Sequence, residues 1–179
     1  LGLPTAKFAV QVGNSPQRSN NLIGRDTIKI RSHAHDYDKF LREQTKGFEK
    51  NAQAVFIDQY LPFHHDYQEM GAGSFDVDHY YSCMNALFRQ VESELNIPVI
   101  IAAHPRARYE DNDPLFEGRQ VIRGDTARLV LECSLVIAHV SLAVEYAIMA
   151  EKPLVIVTTE EMFGKVFSEK HYYVQYAKE

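Results

Sequence analysis

The stretch Leu129–Thr158, LVLECSLVIAHVSLAVEYAIMAEKPLVIVT, decides the fold class. Leu135–Ala138 is a short apolar run, the pattern of a strand covered on both faces. His139, Val140 and Ser141 break it. Ser141 suits a helix N-cap, and Leu142, Tyr146 and Met149 or Ala150 follow at helical spacing. Lys152-Pro153 stops that helix, because proline lacks the backbone donor and disfavours helical geometry in the residue before it. Leu154–Val157 then reads as a second buried strand. Strand, helix and strand in so few residues predict a right-handed crossover between parallel neighbours. The polar turn at His139–Ser141 is thereby expected where a strand's carboxyl end meets a helix N-terminus. Open α/β sheets bind ligands at such points, and free backbone N–H groups there attract phosphate.

The same alternation of elements extends upstream. Gln120–Ile122 reads as a short strand, and Gly124-Asp125-Thr126 opens a helix over Ala127–Cys133 with Asp125 or Thr126 as cap. Val99–Ala103 is a buried strand running into His104-Pro105-Arg106. The helix before it, with Asp78 as its expected cap, repeats Tyr81, Met84, Leu87, Phe88, Val91 and Leu95 at three- and four-residue steps, which predicts a core face. Asn96-Ile97-Pro98 ends that helix. Ala54–Ile57 is a strand ending in Asp58, followed by a long loop that carries His64, His65 and Asp66. Tyr37–Lys50 is loosely amphipathic, with Asp36 or Asp38 as a cap. Lys7–Val12 and Asp26–Ile30 read as strands on either side of a loop of turn formers. The expected architecture is a three-layer, Rossmann-like α/β domain with a mainly parallel sheet over residues 46–179. Residues 1–45 are read as an irregular N-terminal segment or interdomain linker, and the whole as a fragment of a longer protein.

Composition narrows the partners. The 179 residues are 45% hydrophobic and 24% charged, enough for one domain with a sizeable core. A net charge of −5 and a pI near 5.9 argue against general nucleic-acid binding. No apolar run is long enough to span a bilayer, and no signal-peptide pattern appears. Cys83 and Cys133 read as buried free thiols, consistent with a reducing cytoplasm.

In a parallel sheet, polar residues from distant segments meet at one edge. Asp58, His104, Arg123-Gly124, His139 and Thr158 are all placed at strand carboxyl ends by this reading. A histidine followed by Arg106 and Arg108 suits phosphate, since guanidinium groups bind oxyanions in bidentate fashion and imidazole donates or adds charge. Gly124 and Thr126 mark a helix N-terminus, where capping explains the residues as well as phosphate does. Ser141 can cap its helix and contact phosphate with the same hydroxyl. Glu145, one turn further, can accept from a ribose diol or simply face solvent. A metal reading of Asp58, His64, His65 and Asp66 has no standard ligand spacing, so no metal or other cofactor is expected. There is no GxGxxG, Walker loop, paired CxxC or nucleophile-elbow serine.

IPVIIAAHPRA, then the Gly124-Asp125-Thr126 segment, then LVIAHVSLAVEYAIMAEKPLVIVT, resembles the carboxyl-terminal, donor-binding half of GT-B glycosyltransferases. The likeness is to bacterial capsule and surface-polysaccharide transferases, over roughly Asp36–Thr159. It implies a nucleotide-sugar donor, a glycan acceptor, and a separate N-terminal domain that holds the acceptor. It further implies a cytoplasmic site without a transmembrane segment, compatible with a peripheral seat at the inner membrane. Nucleotide-sugar contacts fall on His104, Arg106, Gly124, Thr126, His139, Ser141 and Glu145, and catalytic roles on Asp58, His64 and Asp66. His139-Val140-Ser141 departs from the paired serines or Asp-Ser-Gly-Gly of relatives. A sugar-nucleotide epimerase or hydrolase, or a non-catalytic nucleotide- or glycan-binding module, is the alternative.

Overall fold

In the computed structural model, the residues described are 4–12, 22–65, 75–139, 141–159 and 161–162, with the backbone alone for His35. The chain runs β1 (Phe8–Val12), β2 (Ile28–Ser32), α1 (His35–Thr45), β3 (Ala54–Ile57), α2 (Val77–Leu95), β4 (Val99–Ala103), β5 (Val121–Arg123), α3 (Thr126–Glu132), β6 (Leu135–Ala138), α4 (Val144–Met149) and β7 (Leu154–Ile156). One sheet has the order β5-β4-β3-β6-β7, every neighbouring pair parallel. The chain steps one way from β3 to β4 and the other way from β6 to β7. A single hand of crossover therefore puts α2 and α4 on opposite faces of the sheet. The result is the expected three-layer, Rossmann-like arrangement, with the topological switch between β3 and β6.

Alternation along the strands builds both interfaces. Ala54 and Phe56, Val99 and Ile101, and Ile137 face α2, where Tyr80, Tyr81, Met84 and Phe88 complete the cluster. Val55 and Ile57, Ile100 and Ala102, and Val136 and Ala138 face α1, α3 and α4. The strand β7 is not doubly covered as its apolar sequence predicts. It closes one edge of the sheet, and Val155 is 44% exposed.

Helix boundaries correct several expectations. The cap of α2 is Asp76, which accepts from the His79 N–H at 2.9 Å, while Asp78 sits inside the first turn. Asn96 ends α2 in the left-handed conformation, as a C-terminal residue with a short polar side chain can. The core stripe stops short of Leu95, which is 52% exposed. Ser141 does not cap α4; its hydroxyl accepts from the Ala143 N–H at 3.3 Å in the turn before it, and Leu142 points outward. Neither Asp36 nor Asp38 caps α1, whose N-cap is Ala34.

The amphipathic pattern read over Tyr37–Lys50 is α1, His35–Thr45, which belongs to the helical layer. Phe40 is buried in it, and the Tyr146 hydroxyl donates to Asp36 at 2.6 Å, fastening α1 to α4. Before α1, β1 and β2 form a separate two-stranded parallel sheet. The buried Thr27 hydroxyl clasps its base, donating to the Ala6 carbonyl at 2.7 Å and accepting from the Gly24 N–H at 3.0 Å.

Candidate functional site

The carboxyl ends of the five parallel strands share one edge, so Asp58, His104, Arg123, His139 and Thr158 do lie along it. They are not equally available there. The registers of β3 with β4 and β6 bring Asp58 level with Ala103 and His139. The alternation that turns Phe56 and Ile137 toward α2 turns Asp58 and His139 the same way, under Tyr80 and Tyr81. Both are buried.

His139 is therefore a core residue, not a wall of the cleft. Its Nδ1 lies 2.8 Å from the Val157 carbonyl, which can only accept, so Nδ1 carries the proton. Its Nε2 then accepts from the Tyr80 hydroxyl at 2.8 Å. Burial holds its pKa down at about 4, which fixes the neutral ring. The expected nucleotide contact at this position gives way to a structural one, because both nitrogens are already bonded inside the protein.

Asp58 is likewise enclosed. One carboxylate oxygen accepts from the Tyr60 N–H at 2.9 Å and the other from the His104 N–H at 3.4 Å. The Tyr109 hydroxyl, which pairs with the Tyr81 hydroxyl at 2.8 Å, favours the ionised form of this carboxylate. Burial nonetheless raises the Asp58 pKa to about 6. Asp58 thus ties the loop after β3 to the loop after β4. It positions the residues around it and has no surface from which to act on a substrate directly.

Those two loops enclose a pocket of about 290 Å³ lined by Tyr60, Phe63, His64, His65, His104, Arg106 and Arg108. Five of the seven are cationic or become so on protonation, and none is acidic. The His64 and His104 rings meet edge to face at 5.2 Å between centroids. The Arg106 N–H reaches His104 Nδ1 at 3.2 Å, so Nδ1 is the acceptor and Nε2 bears the proton. Tyr60 holds left-handed backbone angles, φ 55° and ψ 34°, unusual for an aromatic residue and secured by its N–H bond to Asp58.

The structure thus gathers His64, His104 and Arg106, with Asp58 beneath them. Gly124 and Thr126 lie to one side at the end of β5, and Ser141 and Glu145 to the other at the end of β6; neither pair lines the pocket. Gly124 is exposed, with φ +80°, and its carbonyl accepts from Lys39 at 3.3 Å. Asp66 lies outside the described residues. Among the described residues, no three His, Cys, Asp or Glu side chains are grouped to hold a metal ion. Tyr60 and Phe63 carry no sequence signal of their own; the left-handed turn after Asp58 brings them in.

A larger cleft, about 620 Å³, opens at the opposite edge among Phe48, Lys50, Cys133, Glu151 and Lys152. The carboxyl ends of α1, α3 and α4 converge there, and their carbonyls repel anions. Lys152 is already committed, donating to the Cys133 carbonyl at 2.6 Å. The chemistry favours the smaller, cationic pocket.

The two buried ionisable groups predict opposite pH slopes. Between pH 3.8 and about 6, native Asp58 keeps a proton that the unfolded chain has lost, so this group lowers stability as pH rises. His139 in the unfolded chain takes a proton below 6.5 that the native ring refuses until about 4, so it lowers stability as pH falls. Each full effect is about 3 kcal/mol at 1.36 kcal/mol per pKa unit. Relative to the parent protein, Asp58→Asn should gain about 2–2.5 kcal/mol on going from pH 4 to pH 7, read by urea unfolding across that range. A stability difference independent of pH would show that Asp58 is not the titrating group.

No family model, no curated protein and no solved structure matches the chain, so no family is assigned by comparison.

Proposed function

We propose that this domain binds the phosphates of a nucleotide-activated sugar in the pocket between the β3 and β4 loops, as the donor-binding part of a glycosyltransferase. The supporting observation is a pocket with three histidines, two arginines and no carboxylate, at the carboxyl edge of a Rossmann-like parallel sheet. Net charge does not explain it, since the chain as a whole is at −5. Arg106 and Arg108 offer paired donors to phosphate oxygens, and His104 offers Nε2–H without needing to be charged. Such fixed donors are suited to stabilising a departing nucleoside diphosphate.

A pocket of about 290 Å³ is at the small end for ligand sites, with room for a diphosphate and one ring. The rest of the ligand would run along the edge toward Ser141 and Glu145 or toward Gly124 and Thr126. In this reading Asp58 yields the role of base to His64, which lines the pocket. The sequence likeness to surface-polysaccharide transferases favours a glycan acceptor.

The test is calorimetry with UDP, CDP and their sugar conjugates. His104→Ala and Arg106→Ala should each weaken binding ten- to a hundredfold, the range for a hydrogen bond to a charged group, about 1.5–3 kcal/mol. Unchanged affinity in folded variants would remove the pocket from the donor site.

A further inference from the structure

The β1–β2 sheet is amphipathic, and its apolar face is left uncovered among the described residues. Its register sets Phe8 beside Ile28 and Val10 beside Ile30, and alternation places these four with Val12 on one face. All five are exposed, from 47% for Ile30 to 66% for Val10. Lys29 and Arg31 alternate with the isoleucines on the opposite face and are exposed as well. The two strands pack chiefly on each other. A contiguous apolar face of this kind marks an interaction surface.

Charge selects the partner. The described residues around this sheet include Lys7, Arg25, Lys29 and Arg31 against a single acid, Asp26, in a chain of net charge −5. Apolar side chains backed by lysine and arginine are the composition of an element lying in the plane of a bilayer interface. There the apolar face enters the boundary between headgroups and acyl chains, and the long basic side chains reach for anionic headgroups. A second copy fits less well. It would bury only five side chains per partner, where a stable interface needs about 800 Å² on each side, and it would leave Lys29 and Arg31 on the outer faces without a use.

We propose that the β1–β2 sheet docks on an anionic lipid surface, inserting Phe8, Val10, Val12, Ile28 and Ile30 while Lys29 and Arg31 supply the electrostatic attraction. The inference is independent of the phosphate pocket, which lies on the other sheet. It predicts that the domain is tethered to a membrane through these two strands.

The experiment is co-sedimentation of the full chain with vesicles of phosphatidylcholine and phosphatidylglycerol, and with vesicles of phosphatidylcholine alone. The chain should sediment with the anionic vesicles, less so at high salt, and not with the neutral ones. Val10→Glu, and Lys29→Glu with Arg31→Glu, should each lower partitioning roughly tenfold or more. The backbone ladder and the Thr27 clasp at its base, not the exposed side chains, join the strands, so these variants keep the fold, which circular dichroism checks. His104→Ala should leave vesicle binding unchanged, which separates this proposal from the nucleotide one. Absence of binding, or equal binding to both vesicle types, would overturn it. So would a dimer in sedimentation velocity that Val10→Glu dissociates, since the face would then belong to a second copy.

Discussion

Replacing His139 with alanine is expected to destabilise the domain by about 3–5 kcal/mol, the range for deleting a fully buried ring from a packed core. Two losses combine. The ring packs edge to face on Phe56, with centroids 5.4 Å apart, and its removal leaves a cavity beneath α2 at the carboxyl end of β6. It also strips the Tyr80 hydroxyl and the Val157 carbonyl of their 2.8 Å partners, and a buried polar group left unpaired costs about 1–3 kcal/mol. His139→Phe separates the terms, keeping most of the volume and neither bond, so it should fall between the parent and His139→Ala. Urea unfolding at pH 7 measures both. A loss below about 1 kcal/mol for alanine would mean that the imidazole is not the buried link between α2 and the strand end.

His139 also marks where the sequence stops being informative. The apolar runs at Ala54–Ile57, Val99–Ala103 and Leu135–Ala138 are legible because a doubly covered parallel strand has to be apolar at every position. The convergence of polar residues on one edge follows from the parallel order alone. Which of them remain exposed does not. Strand parity carries past the last ladder bond, so Asp58 and His139 continue the inward series of Phe56 and Ile137 and are swallowed under α2. That parity is written in the sequence, but using it requires knowing how far α2 overhangs the edge. His104 follows an equally apolar strand, yet its loop turns outward and the ring lines the pocket. Tyr60 and Phe63 depend on a left-handed backbone at Tyr60, which no residue type announces. The α2 cap is Asp76 and not Asp78 two residues on, a distinction the sequence does not mark because the two side chains are chemically alike.

The second large effect is expected at Arg119, a residue that reads in the sequence as the end of a polar loop. Its side chain is only 9% exposed and is the hub of a network. Its Nε and Nη2 donate to the two oxygens of Glu92 at 2.9 and 2.7 Å, the fork geometry of a strong pair. Its Nη1 donates to the Asn85 side chain at 2.9 Å and to the Phe116 carbonyl at 3.1 Å, and the guanidinium lies over the Phe88 ring. Glu92 in turn accepts from the Val99 N–H at 3.2 Å, so the network joins the end of α2, the start of β4 and the approach to β5. The guanidinium holds the Glu92 carboxyl below the usual carboxylate range. Removing one partner of a fully buried pair costs about 3–5 kcal/mol. Glu92 is 30% exposed and can recover some hydration, so Arg119→Ala should cost less, about 2–4 kcal/mol. Glu92→Gln keeps an acceptor for the guanidinium and should lose roughly 1 kcal/mol. A double-mutant cycle between the two positions should give a coupling of about 1–3 kcal/mol. The network lies at the amino-terminal edge of the sheet, away from the phosphate pocket. Arg119→Ala should therefore leave nucleotide affinity unchanged at temperatures where it is still folded. Simple additivity in the cycle would show that Arg119 acts through Asn85, the Phe116 carbonyl and the Phe88 ring and not through Glu92.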